Sequence, residues 1–131
     1  GKPGEATRAE SVSQTLQAMT GEADARDGER ARLAGRYVLA RDRDTQGCAL
    51  ELRATSGQRP RNGGQAWTAA LEPGCRDDGV RTFDPIAWQF DSGRIVLVAR
   101  KGHTLGFTRQ RDDSWAKDPA AGRPLWMRKA Q

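Results

Sequence analysis

Side chains suited to chemistry are scarce in this chain: two cysteines and one histidine among 131 residues. Cys48 opens the run Cys-Ala-Leu-Glu-Leu, and Cys75 closes Leu-Glu-Pro-Gly-Cys; each stands beside a glycine, Gly47 or Gly74. Both fall at the edge of a strand-like segment, a placement that reads as one disulfide tying two neighbouring strands. The alternative is a pair of free buried thiols in a cytosolic protein. Closing the loop between them would contribute roughly 3.5 kcal/mol in the chain-entropy model, and would fit an oxidising compartment.

The remaining candidates for chemistry lack context. His103 follows Gly102 at a strand start. A zinc site needs three or four nitrogen, sulfur or oxygen ligands, and with the cysteines paired only carboxylates scattered in turns are left. A surface histidine is the simpler reading. Asp77-Asp78 and Asp112-Asp113 lie in polar, turn-like stretches, where Asp serves the backbone, so they read as turn residues rather than paired acid and base. No serine stands in a nucleophile-elbow setting. Gly63-Gly64 lacks the strand–glycine–helix setting of a phosphate loop. The sequence therefore predicts no enzyme, no cofactor and no metal centre.

The elements that carry these residues divide near Leu33. Residues 1–32 contain no aromatic residue. Thr7-Arg8-Ala9-Glu10 fits a capping box, Val12, Leu16 and Met19 follow as a thin apolar stripe, and Thr20-Gly21 would end that helix. A second weak helical stretch runs from Ala23 to Leu33, interrupted at Gly28 and stopped near Gly35. The expectation is an N-terminal arm over 1–32, partly helical or disordered, before a β-domain over 33–131.

From Gly35 the period changes to two. Arg36–Ala40, Cys48–Arg53, Gln65–Leu71, Ile86–Phe90, Arg94–Arg100 and His103–Arg109 read as strands, with Trp115 and Leu125–Met127 marking a seventh and an eighth. Cys48, Leu50 and Leu52 share one face; so do Trp67, Ala69 and Leu71, and so do Ile86, Trp88 and Phe90. Gly57–Gly64 reads as a loop, Asp91-Ser92-Gly93 as a hairpin turn and Arg76–Pro85 as a connection. The fifth run is apolar on both faces, which predicts the most central strand. Eight short strands with turn residues between them predict an all-β, eight-stranded antiparallel up-and-down barrel. Trp67, Trp88 and Trp115 fall in the inward phase, as core fillers or, alternatively, as the lining of a ligand cavity.

Charge limits the partners. The net charge is +5, mean hydropathy is −0.81 and the isoelectric point is about 9.9. Eighteen of the 22 basic residues are arginine. They alternate with aspartates, as in Arg41-Asp42-Arg43-Asp44, without the basic blocks and interleaved aromatics that bind nucleic acid. No nucleic-acid partner is expected. No run approaches the about 18 apolar residues of a membrane span, and a monomer is expected. Gly1-Lys2-Pro3-Gly4 reads as a cut or processed start, compatible with removal of an export signal or with a lipid anchor upstream.

Several features in order resemble a known family. They are Leu33-Ala-Gly-Arg-Tyr-Val-Leu39, Gly47-Cys-Ala-Leu-Glu-Leu52, Trp67 followed by Leu71-Glu-Pro-Gly-Cys75, Phe83-Asp-Pro-Ile-Ala-Trp88, Gly93-Arg-Ile-Val-Leu97 and a late Gly122. From Leu33 to Lys129 the chain resembles the bacterial inhibitors of secreted alkaline metalloproteases, the Inh family, which includes related outer-membrane lipoproteins. The resemblance implies an eight-stranded barrel, a Cys48–Cys75 disulfide, a periplasmic home and a non-catalytic role against a secreted zinc metalloprotease of the serralysin type. It also implies a short extended trunk that enters the protease cleft near the zinc. Here 32 residues precede Leu33 and part of them reads as helix, so no inhibitory residue is carried over to a position. Two other functions remain open: a lipocalin-like carrier using Trp67, Trp88 and Trp115, and a cell-envelope structural or interaction module.

Overall fold

The computed structural model describes residues 28–61 and 63–130. The chain divides into two units between Leu33 and Ala34. In the first unit, residues 28–33 are helical (α1), and the part of the expected stretch before Gly28 lies outside the described residues. The capping box at Thr7–Glu10 and the stripe Val12, Leu16 and Met19 lie outside the described residues.

The second unit is a closed antiparallel barrel in chain order, as the period-two pattern predicts: β1 (Gly35–Ala40), β2 (Cys48–Ser56), β3 (Trp67–Leu71), β4 (Pro85–Asp91), β5 (Arg94–Ala99), β6 (Thr104–Arg109), β7 (Trp115–Lys117) and β8 (Trp126–Lys129). β1 closes the barrel on β8, with Tyr37 opposite Lys129 and Leu39 opposite Met127. Closure leaves no unpaired sheet edge to attract a second chain. Alternate positions fill the interior: Tyr37 and Leu39, Leu50 and Leu52, Trp88, Ile95 and Leu97, Phe107 and Met127 are each at most 2% exposed.

The Cys48–Cys75 disulfide is present. It ties the first residue of β2 to the segment after β3. Gly47 just before it must be glycine, because a Cβ there would stand 1.7 Å from the Leu39 carbonyl oxygen.

Four local expectations change. The Arg76–Pro85 connection contains a six-residue helix, α2 (Asp78–Phe83). Ile86 leaves the inward phase, because the register shift between Pro85 and Ala87 gives it no partner on β5 and leaves it half-buried, while Pro85, opposite Ala99, is buried. β2 runs on to Ser56 through a second register shift against β3. Finally, a closed barrel has no central strand. The outward Val98 is buried instead by a small outer cluster with Ala66 and Ala87. The loop at 57–66 supplies Ala66, and it is held by Gly57 donating to the Ala66 carbonyl (2.9 Å) and by Gln89 Nε2 donating to the Gln65 carbonyl (3.2 Å).

The barrel has two ends. The near end, where β1 begins, carries the Ser92–Gly93 turn and the turn at 110–114. The far end, where β1 finishes, carries the segment at 41–47, α2 with the disulfide, the turn at 100–103, and a 3-10 turn, Pro119–Ala121, between β7 and β8.

Candidate functional site

At the near end the three inward tryptophans are buried: Trp88 is 0% exposed, Trp115 3% and Trp67 7%. Trp67 and Trp88 are cross-strand partners with ring centroids 4.9 Å apart and planes tilted by 49°, an arrangement worth about 0.5–1.5 kcal/mol beyond burial. Trp88 donates its indole N–H to the Arg53 carbonyl (2.9 Å). The Arg109 guanidinium lies 4.8 Å over the Trp115 ring. Tyr37 stands in the same packed interior, and burial pushes its phenol up to about 12, against an opposing pull from Arg109. These side chains fill this end of the barrel.

The far end is built differently. Arg41, just past β1, makes a fork with Asp77: Nε donates to Oδ2 (2.7 Å) and Nη2 to Oδ1 (2.9 Å). Its third nitrogen donates to the Pro124 carbonyl (3.0 Å), in the segment between β7 and β8. Asp77 is also the N-cap of α2 and accepts from the Val80 amide (3.1 Å). Both partners are about one-quarter exposed. The Arg41 guanidinium, with help from the Val80 amide, holds the Asp77 carboxyl at about 2, well below the usual carboxylate range. Gly79 makes room for this fork, since a Cβ there would meet Arg41 Nη2 at 2.6 Å. One side chain therefore fastens three loops around the opening.

Inside that ring is a cavity of about 330 Å³. Its walls are largely apolar: Leu39, Val80, Phe83, Leu97, Leu105 and Leu125. Lys117 and Arg123 stand at its rim with Arg41. Lys117 occupies the inward phase, opposite Phe107 in the β6–β7 register. Burial lowers its pKa, as do the neighbouring charges of Arg41 and Arg123. A larger groove of about 710 Å³ lies outside the barrel, lined by Arg94, Thr108, Ala116, Pro119, Pro124 and Trp126 among others. Beside it Arg43 lies 5.0 Å over the Trp126 ring and pairs with Asp112, while Arg128 donates to the Arg43 carbonyl (2.9 Å).

The residues singled out in the sequence are dispersed over this frame. His103 is exposed, and its carbonyl accepts from the Ala99 amide (2.8 Å). Asp112 accepts from the Ser114 amide (3.0 Å) and hydroxyl (2.6 Å), and Asp113 has a left-handed backbone, φ 66°. Asp78 is exposed in the first turn of α2. The Gly63 carbonyl accepts from Gln89 Nε2 (3.3 Å). Among the described residues no group of three or more His, Cys, Asp or Glu side chains could hold a metal ion, and no helix is long and apolar enough to cross a membrane. Sequence reasoning missed the Arg41–Asp77–Pro124 clamp and Lys117. The Asp77-to-Val80 spacing was a usable helix-cap signal for the first; nothing local marked the second.

No curated protein matches the chain. The family model described as protease inhibitor Inh matches residues 27–129. That stretch covers the barrel from before β1 to the last residue of β8. The chain belongs to the protease inhibitor Inh family.

Proposed function

We propose that this protein is a periplasmic, monomeric inhibitor of a secreted zinc metalloprotease of the serralysin type, and that it acts by binding rather than by catalysis. Family membership over residues 27–129 carries the reading. Two observations support it. The disulfide suits an oxidising compartment. The carboxylates nearest to an acid–base arrangement serve structure, Asp77 in the Arg41 fork and helix cap, Asp112 in a turn.

A barrel fastened by a disulfide and an ion-paired clamp is a rigid platform. A rigid platform lowers the ordering cost of an attached segment that enters a cleft, and an extended segment gains main-chain hydrogen bonds there. The platform's part is to present the chain before Gly35 and to keep the near end packed.

The test is residual activity of a serralysin-type protease mixed with the full chain. Loss of activity at micromolar concentrations is expected. Full activity would refute the reading and leave a ligand carrier or an envelope interaction module as the surviving functions. A second protein lacking residues 1–32 then locates the inhibitory part: restored protease activity places it in the arm, retained inhibition in the barrel.

A further inference from the structure

The far-end cavity has a chemistry that protease inhibition does not use. Its floor is Leu97 and Leu105 with Leu39 and Leu125 beside them, and its rim carries Arg41, Lys117 and Arg123. Of the described carboxylates nearby, Asp77 has both oxygens taken up by Arg41, and Asp118, which borders the outer groove beside Lys117, accepts from the Ala120 amide (3.0 Å). Among the described residues no carboxylate pairs with the Lys117 ammonium or with Arg123. Lys117 borders both this cavity and the outer groove, its ammonium 3.9 Å from the position a Cβ on Gly122 would take. A half-buried cation facing a barrel interior without a counter-charge is unfavourable until something anionic meets it.

We propose that this mouth binds a small anionic amphiphile, a carboxylate carrying an apolar chain of medium length. The head sits between Lys117 and Arg123, and the chain enters along Leu97, Leu105 and Leu125. The volume lies at the lower end of the about 300–1,000 Å³ typical of ligand sites, which selects a single short-tailed molecule over a two-chained lipid. Arg41 is committed to Asp77 and Pro124 and acts as the frame. The site is distinct from the tryptophan lining considered from the sequence: Trp67, Trp88 and Trp115 do not border this cavity. The inference is independent of the inhibitory reading.

The experiment is a titration of the full chain, followed by methyl NMR, with decanoate and, separately, with decanol and decyltrimethylammonium. These share a tail and differ in the head. Decanoate is expected to shift the methyls of Leu97, Leu105 and Leu125 and to bind about ten-fold or more tightly than either of the others, one decade being a modest return for two charge-assisted contacts. The double variant K117M/R123Q keeps both stems near the rim and is expected to bring decanoate down to the affinity of decanol. Equal binding of all three probes, an unchanged decanoate affinity in the double variant, or shifts confined to residues away from the mouth would each overturn the proposal.

Discussion

The two ends of this barrel are stabilised by different means. The near end is filled: Trp67 of β3 meets Trp88 of β4, Trp115 of β7 is buried as well, and Arg109 covers Trp115. The far end is fastened instead. A disulfide, an Arg41–Asp77 fork and a helix cap bring the loops together over smaller aliphatic side chains, and a cavity remains between them. Packing density carries one end and cross-links carry the other. A barrel end that is cross-linked rather than filled can leave room without opening, and the cavity with Lys117 and Arg123 lies at that end.

Substitutions can separate these two kinds of support. The largest effect is expected from Trp88→Ala at the filled end, a loss of about 3–5 kcal/mol in urea unfolding. Phe83→Ala at the mouth, where the residue is only partly buried, is expected to cost less, about 1–2 kcal/mol. Similar losses at the two positions would erase the contrast. Next comes C48A/C75A, expected to lower stability by roughly 3.5 kcal/mol and, in hydrogen exchange, to release α2 and the segment at 41–47 before the amides of β4 and β5. Uniform loss of protection would show that the disulfide serves the whole barrel.

Asp77→Ala removes a helix cap and the counter-charge of Arg41, and is expected to cost about 2 kcal/mol. The same group sets a pH dependence. Its folded pKa lies below its unfolded value, so its contribution is complete above about pH 4 and fades as pH falls towards about 2. Thermal unfolding of the wild type should lose part of its stability across that window, and R41A should flatten the curve. An unchanged slope in R41A would remove the fork from the account of the far end. The smallest effect belongs to the exposed Arg43–Asp112 pair, where Asp112→Asn should leave the unfolding midpoint unmoved, as solvated pairs generally do.

The barrel was legible because its interior imposes a period of two on chemistry as simple as Leu50–Leu52 and Ile95–Leu97. The disulfide was legible because Cys48 opens β2 and Cys75 follows shortly after β3. Four things escaped for physical reasons. α2 has six residues and buries only Val80, too few for a helical period to emerge. Ile86 changes phase at a register shift that depends on β5 rather than on β4 alone. The far-end clamp joins residues 36 apart in sequence, and Lys117 enters the interior only because β7 pairs with β6 in one register. Apart from the Asp77 cap of α2, none of these is visible in a local window. No inhibitory residue was assigned to a position, and residues 1–27 of the arm expected over 1–32 lie outside the described residues.

The most direct test of a binding role is a titration of a serralysin-type metalloprotease of known active-site concentration with the full chain, following substrate hydrolysis and the mass of the chain together. The expected result is activity falling linearly to a break at one chain per protease, with the chain recovered intact. Undiminished hydrolysis at micromolar excess, or cleavage of the barrel as an ordinary substrate, would contradict it.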